Sequence, residues 1–239
     1  DAVGWGQLDE IRNNVQAAME HIHLAACRVG RDPRQVRLVA ATKFVTAGQV
    51  LEAVKAGVTI CGENRWQEAQ AKMAAIGEER GLTWHFIGRL QRRKLKMLVG
   101  RFSLIHSVET VDQATELDHQ ADVMGMQQPI LLEVNVGGES TKGGFSPLEL
   151  IQALPAIDRL EHISVRGLLT IPPWEPDPEA VRPYFQRLRE LRDQVAESSP
   201  KRIRMDELSM GMSHDYVIAV EEGATLVRIG TGIFGQRPR

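Results

Sequence analysis

Apolar residues recur at steps of three and four from Leu8 through Ile11, Val15, Ala18, Ile22 and Ala25 to Val29. That spacing lays one apolar stripe along a helix over 8–29, ending near Gly30. Three heptads would also suit a short coiled coil, but alanines at two seam positions favour a helix packed on a core. Beyond Gly30 the pattern becomes a rhythm of short apolar runs and longer helical stretches. The runs predict strands over 37–43, 58–61, 84–87, 104–106, 129–136, 163–169, 207–210 and 226–229. The stretches between them predict helices over 47–56, 65–76, 91–99, 111–123, 147–157, 179–196 and 213–221, with a short helical turn at the end. Gly57 marks the end of the first of these helices.

Runs such as Ile130-Leu131-Leu132 are continuously apolar, not alternating. Strands of that kind are covered on both faces, as in parallel sheets. Eight strand–helix units over 36–237 predict a (β/α)8 TIM barrel with an extra N-terminal helix, in one domain spanning 1–239. An open doubly wound sheet is the competing topology. It loses weight because no Gly-x-Gly-x-x-Gly follows the first strand. No linker divides the chain, although 171–178 is a proline-rich loop.

Composition narrows the class. The 239 residues are 43% hydrophobic and 25% charged, which excludes a disordered chain. Two cysteines, Cys27 and Cys61, exclude a disulfide scaffold. A net charge of -2 argues against a nucleic-acid binder. No apolar run approaches the ~18 residues of a membrane span, and the first residues carry no signal-peptide pattern. The expectation is a cytoplasmic protein with reduced thiols.

A barrel gathers its chemistry at the C-terminal ends of its strands. Lys43 ends the first predicted strand, where a partly buried amine can attack an aldehyde. Taken alone, it reads more simply as a lysine reaching out of a strand end. Asn64, after the second strand, suits a ligand hydroxyl or a helix cap, and Glu63 or Arg65 suits an ion pair. His85 sits in an apolar segment, as satisfied core histidines do. Leu208-Ser209-Met210-Gly211-Met212-Ser213 leads into a helix with Ser213 as the expected N-cap. Arg228-Ile229-Gly230-Thr231-Gly232 ends the last strand. Free amides and hydroxyls at both places predict a phosphate cradle. Arg228, inside its strand, requires an acceptor. An amine, a cradle and an inward arginine suit pyridoxal 5′-phosphate. A barrel aldolase acting on a phosphorylated sugar fits these residues nearly as well.

Nine blocks in order carry a further signal. They include Ala41-Thr42-Lys43, Gly62-Glu63-Asn64-Arg65, Trp84-His85-Phe86-Ile87-Gly88, Ile105-His106-Ser107-Val108, Leu208 to Ser213, and Val227-Arg228-Ile229-Gly230-Thr231-Gly232. Over residues 8 to 237 the chain resembles the pyridoxal phosphate homeostasis protein family. The resemblance implies a barrel like the N-terminal domain of alanine racemase (pyridoxal-phosphate fold type III), with the cofactor held as an aldimine on Lys43. It places Ser213, Gly230 and Thr231 at the phosphate, Arg228 near the ring nitrogen, and Asn64 and His85 around the ring. Met210, from the same block as Ser213, completes the expected cofactor-binding set. No catalytic or metal-binding residue is expected.

The implied role is a carrier or buffer of the cofactor in amino-acid and keto-acid balance, without substrate turnover. A weak racemase or lyase is the alternative. Tyr216 reads as packing, not as a base. Lys142, in the glycine-rich loop over 137–144, is a candidate second amine for the aldehyde. Arg89 to Arg101 carries six basic residues where the family has a less basic run. That stretch reads as a solvated helix face or as a docking face for an apo-enzyme or regulatory protein partner. A monomer is expected.

Overall fold

The computed structural model of the chain describes residues 5–77, 81–198 and 200–236. Residue 237, the expected end of the barrel, lies outside the described residues. Eight parallel strands close into a barrel in chain order. They are β1 (Arg37–Ala41), β2 (Ile60–Glu63), β3 (Thr83–Phe86), β4 (Leu104–Val108), β5 (Gln128–Glu133), β6 (Ile163–Leu169), β7 (Glu207–Ser209) and β8 (Leu226–Ile229). The helices are α1 (Trp5–Arg28), α2 (Ala47–Lys55), α3 (Trp66–Ile76), α4 (Val111–Val123), α5 (Pro147–Ile157), α6 (Arg182–Glu197), α7 (Tyr216–Glu221) and α8 (Thr231–Phe234).

The expected α1 stripe is buried from Ile11 to Ala25, and α1 packs on α2, α7 and α8. It therefore covers the seam where the barrel closes and forms no coiled coil with a second helix of this chain. Val29 falls just past the helix and is exposed. Capping chemistry starts the regular helices. Thr46 with Gln49, and Ser146 with Glu149, form reciprocal capping boxes. Gly57, at φ +113°, turns the chain out of α2.

The barrel interior is built in two layers. Val39, Ile60, Leu104, Leu131, Leu169 and Leu226 form an apolar cluster separate from the strand–helix core. Register carries this face around the sheet. Val39 pairs with Arg228, Leu104 with His85, and Leu226 with Ser209. Two residues beyond Leu104 and Leu131 on the same strands come His106 and Glu133. A polar layer thus sits above the apolar one, toward the strands' C-terminal ends.

The predicted strands shift at their ends, as at β2 and β5, and three predicted helices differ in type or start. The stretch over 91–99 is a 3₁₀ turn, Arg92–Met97, in place of an α-helix. Like charges at Arg92 and Lys96 (i,i+4) and at Arg93 and Lys96 (i,i+3) would face each other on an α-helix and oppose it, and only Leu95 within the turn is buried. The helix predicted over 179–196 is a 3₁₀ turn, Pro178–Val181, followed by α6. Pro183 lacks an N–H, so α6 begins around it. The helix predicted from Ser213 begins at Tyr216, because the Asp215 carboxylate accepts from the Met212 amide at 2.7 Å and holds a turn there.

Candidate functional site

β1 ends at Ala41, two residues earlier than predicted, so Lys43 lies in the turn that follows. There Phe44 takes a left-handed conformation at φ +63°. The half-buried Lys43 amine lies 4.9 Å from the centre of the Phe44 ring. β1 and β8 are neighbours in register, Ala40 against Ile229. The Lys43 turn and the Gly230–Thr231 turn therefore emerge side by side at the barrel mouth.

Beneath Lys43 lies a buried ion pair. Lys72 donates to Glu63 Oε1 at 2.6 Å and also to the Thr42 carbonyl. The Thr42 hydroxyl donates to the same Glu63 oxygen at 2.6 Å. Burial pushes the Glu63 carboxyl up, against the pull of Lys72 and Thr42. The expected ion pair at Glu63 is thus present. Its partner lies on α3, nine residues away, and Lys72 was no sequence candidate.

The Ser213 hydroxyl accepts from the Gly230 amide at 3.2 Å and the Gly232 amide at 3.0 Å. Ser213 therefore caps the turn after β8, not the helix that follows it. Glycine is required at 232, since a Cβ there would stand 2.9 Å from Ile229 Cγ2. Thr231 is exposed beside these amides. Two amides and two hydroxyls gather at one corner of the mouth, but the Gly230 and Gly232 amides, expected to be free, are taken up by the Ser213 hydroxyl. α7 and α8 are only six and four residues long. Helices this short bring little macrodipole to the corner.

Arg228 is buried, 4% exposed. Its Nη1 donates to Ser209 Oγ at 2.5 Å and its Nη2 to the Thr170 carbonyl at 3.1 Å. Ser209 Oγ lies 2.9 Å from His106 Nδ1, and His106 Nε2 lies 2.9 Å from His85 Nδ1. Burial lowers the Arg228 guanidinium to about 10 and His85 to about 3, and holds His106 well below its ordinary range. Both imidazoles are therefore neutral near pH 7. His85 is a core histidine, as its apolar setting predicts, but it is one link of a polar chain across the barrel. His106, Ser209 and Thr170 were not sequence candidates. The available signal was the pair of histidines on adjacent strands, both at inward positions.

Other candidates stand apart. Met210 is fully buried in the strand–helix core. Asn64 borders a hollow of about 100 Å³ shared with Trp66, Arg89 and Lys94. Its turn meets Gly88 so closely that a Cβ on Gly88 would stand 2.2 Å from the Asn64 carbonyl oxygen. Lys142 borders a cavity of about 240 Å³ on the β3–β6 side of the mouth, with Ile87, Glu109 and Glu133. Its amine is held by Glu139 at 2.5 Å and by the Pro172 carbonyl at 2.9 Å. Tyr216 turns away from the mouth, its hydroxyl 2.8 Å from His21 Nδ1 on α1. The basic stretch keeps Arg92 and Arg93 exposed, while Arg101 stacks over Trp66 at 5.1 Å.

Residues 7–238 match the family model described as alanine racemase, N-terminal domain. The pyridoxal phosphate homeostasis protein of Aquifex aeolicus is 45% identical over 219 residues, covering 92% of this chain and 95% of that protein. A crystal structure of an unknown protein from Bifidobacterium adolescentis superposes with a TM-score of 0.90 at 35% identity, covering 98% of each chain. The structure of PipY from Synechococcus elongatus with pyridoxal phosphate bound superposes with a TM-score of 0.80 at 36% identity, covering 91% of this chain and 99% of that one.

Proposed function

This chain belongs to the pyridoxal phosphate homeostasis protein family, and from that membership we propose that it binds pyridoxal 5′-phosphate at the barrel mouth and holds it without turning over a substrate. The observation that carries the reading is the donor set. Arg228 is a buried cation whose hydrogen-bond partners are a hydroxyl and a carbonyl. It lies on β8, two residues before Gly230 and beside β1, the strand that leads to Lys43. Arg228, the Lys43 amine and the Ser213–Gly230–Thr231 corner match, in turn, a ring nitrogen, an aldehyde and a phosphate.

When bound, the cofactor supplies an aldehyde that an amine captures reversibly and a ring that draws electrons. Lys43 would hold the aldehyde end, and Ser213, Gly230 and Thr231 the phosphate. Arg228, an obligate donor, would disfavour a proton on the ring nitrogen and so leave the ring a weak electron sink. That suits holding over turnover. Tyr216, bound to His21, offers no base at the mouth. The protein then buffers or delivers the cofactor within amino-acid and keto-acid balance.

The test is direct. Purified protein is expected to be yellow, and borohydride is expected to fix pyridoxal phosphate on Lys43. Lys43→Ala loses both signals. A sugar phosphate trapped on that lysine would overturn the assignment while leaving the fold intact. Exchange of the α-hydrogen of alanine at enzymatic rates would replace holding with turnover.

A further inference from the structure

A large cavity lies at the wrong end of the barrel for the cofactor. It encloses about 870 Å³ where the strands begin, opposite the mouth. Five arginines line it: Arg31, Arg34, Arg37, Arg189 and Arg192. Three acidic residues line it too, but their charges are committed. Asp206 pairs with Arg166 at 2.8 Å, outside the cavity. Glu221 pairs with Arg28 at 2.5 Å and Arg182 at 2.7 Å, also outside it. Glu207 alone is held by a lining arginine, Arg37.

The cations are less fully matched. Arg189 pairs with Glu222 at 2.8 Å, but Arg182 shares that carboxylate. Arg34 pairs with Asp32 and Arg192 with Asp193, each a near neighbour in sequence. Arg31 has no carboxylate partner among the described residues; it donates to the Val220 and Ala224 carbonyls. Burial, and then the like charges of Arg192 and Arg189, lower its guanidinium. A barrel's N-terminal face ordinarily serves stability. Converging guanidinium groups with a shortage of carboxylates oppose stability unless an anion joins them.

We propose that this arginine-lined cavity binds a small molecule carrying a chain of phosphates, a second site remote from the cofactor. The guanidinium fork matches phosphate oxygens in pairs. The volume falls within the ~300–1,000 Å³ of small-ligand pockets and admits a nucleotide. The Gln35 amide and the Thr225 hydroxyl add polar groups to the same wall. A nucleoside triphosphate and inorganic tripolyphosphate share the recognised chemistry.

Calorimetric titration of protein saturated with pyridoxal phosphate tests the proposal, because the cofactor then fills the phosphate corner at the mouth. At fixed ionic strength, ATP and inorganic tripolyphosphate are expected to bind and adenosine is not. Tighter binding of ATP assigns a nucleoside beside the phosphates; equal binding assigns inorganic polyphosphate. Arg192→Gln is the main variant, because among the described residues its ion pair is with its sequence neighbour Asp193 alone. It is expected to weaken binding about tenfold or more, with the visible band of the bound cofactor unchanged. Arg34→Gln, at an exposed residue, provides a second reading. Absence of binding to the wild-type protein at millimolar anion, or equal binding by both variants, would overturn the proposal.

Discussion

Arg228 donates to Ser209 across the barrel interior, and that single bond sets the direction of every hydrogen bond beyond it. A guanidinium has no acceptor. The Ser209 hydroxyl receives from Arg228, and since His106 Nδ1 is its one other partner among the described residues, its own proton turns there. His106 must then carry its proton on Nε2 and pass it toward His85 Nδ1, so His85 carries its proton on Nε2. Nitrogen-detected magnetic resonance is expected to find both rings neutral and protonated on Nε2. A proton on His106 Nδ1 would contradict this order. Ser209→Ala strands His106 Nδ1 and one Arg228 N–H in the interior and is expected to cost about 1–3 kcal/mol in denaturant unfolding.

The same two histidines give a pH signature. Their folded pKa values lie below the ~6.5 of an unfolded histidine. Below about 6.5 the unfolded chain binds the extra protons, and for His85 this holds down to about 3. Their stability contribution is therefore full above about 6.5 and falls as pH drops through that window. Each histidine adds up to about 1.4 kcal/mol per pH unit to the slope. Unfolding measured from pH 7 to 5 is expected to show the loss, and His85→Gln should flatten it.

The Lys72–Glu63 pair offers a test of what steadies Lys43. Lys72→Met leaves a buried Glu63 with the Thr42 hydroxyl as its remaining hydrogen-bond donor and frees the Thr42 carbonyl. Breaking one side of such a pair typically costs about 3–5 kcal/mol. The expected result is a large fall in stability together with weaker borohydride trapping at Lys43. If stability falls and trapping of the folded fraction is unchanged, the pair serves the barrel alone.

Lys142 stands on the cavity wall across the mouth, its amine tied to Glu139 and the Pro172 carbonyl. If it receives the aldehyde during release, Lys142→Ala slows transfer of the cofactor to an amine scavenger while leaving the bound band intact. Equal rates for wild type and variant would remove that role.

The local grammar of the chain was legible without coordinates. Capping residues, glycine stops and continuous apolar runs specify the eight strand–helix units, because each depends on neighbours within a few positions. The nine ordered blocks carried the family, and the corner formed by Ser213, Gly230 and Thr231 lay within two of them. Other features arise between segments far apart in sequence. His106 and Ser209 are 103 residues apart, and only closure of the sheet brings them into one layer with Arg228. Lys72 reads as an exposed helix lysine until α3 packs its amine onto Glu63 and the Thr42 carbonyl. The arginines of the N-terminal cavity come from the start of β1, the segment before it and α6, so no spacing announces them. Which polar groups share a buried volume was decided by strand register and helix packing, since hydrogen bonding and charge act through space and not along the chain.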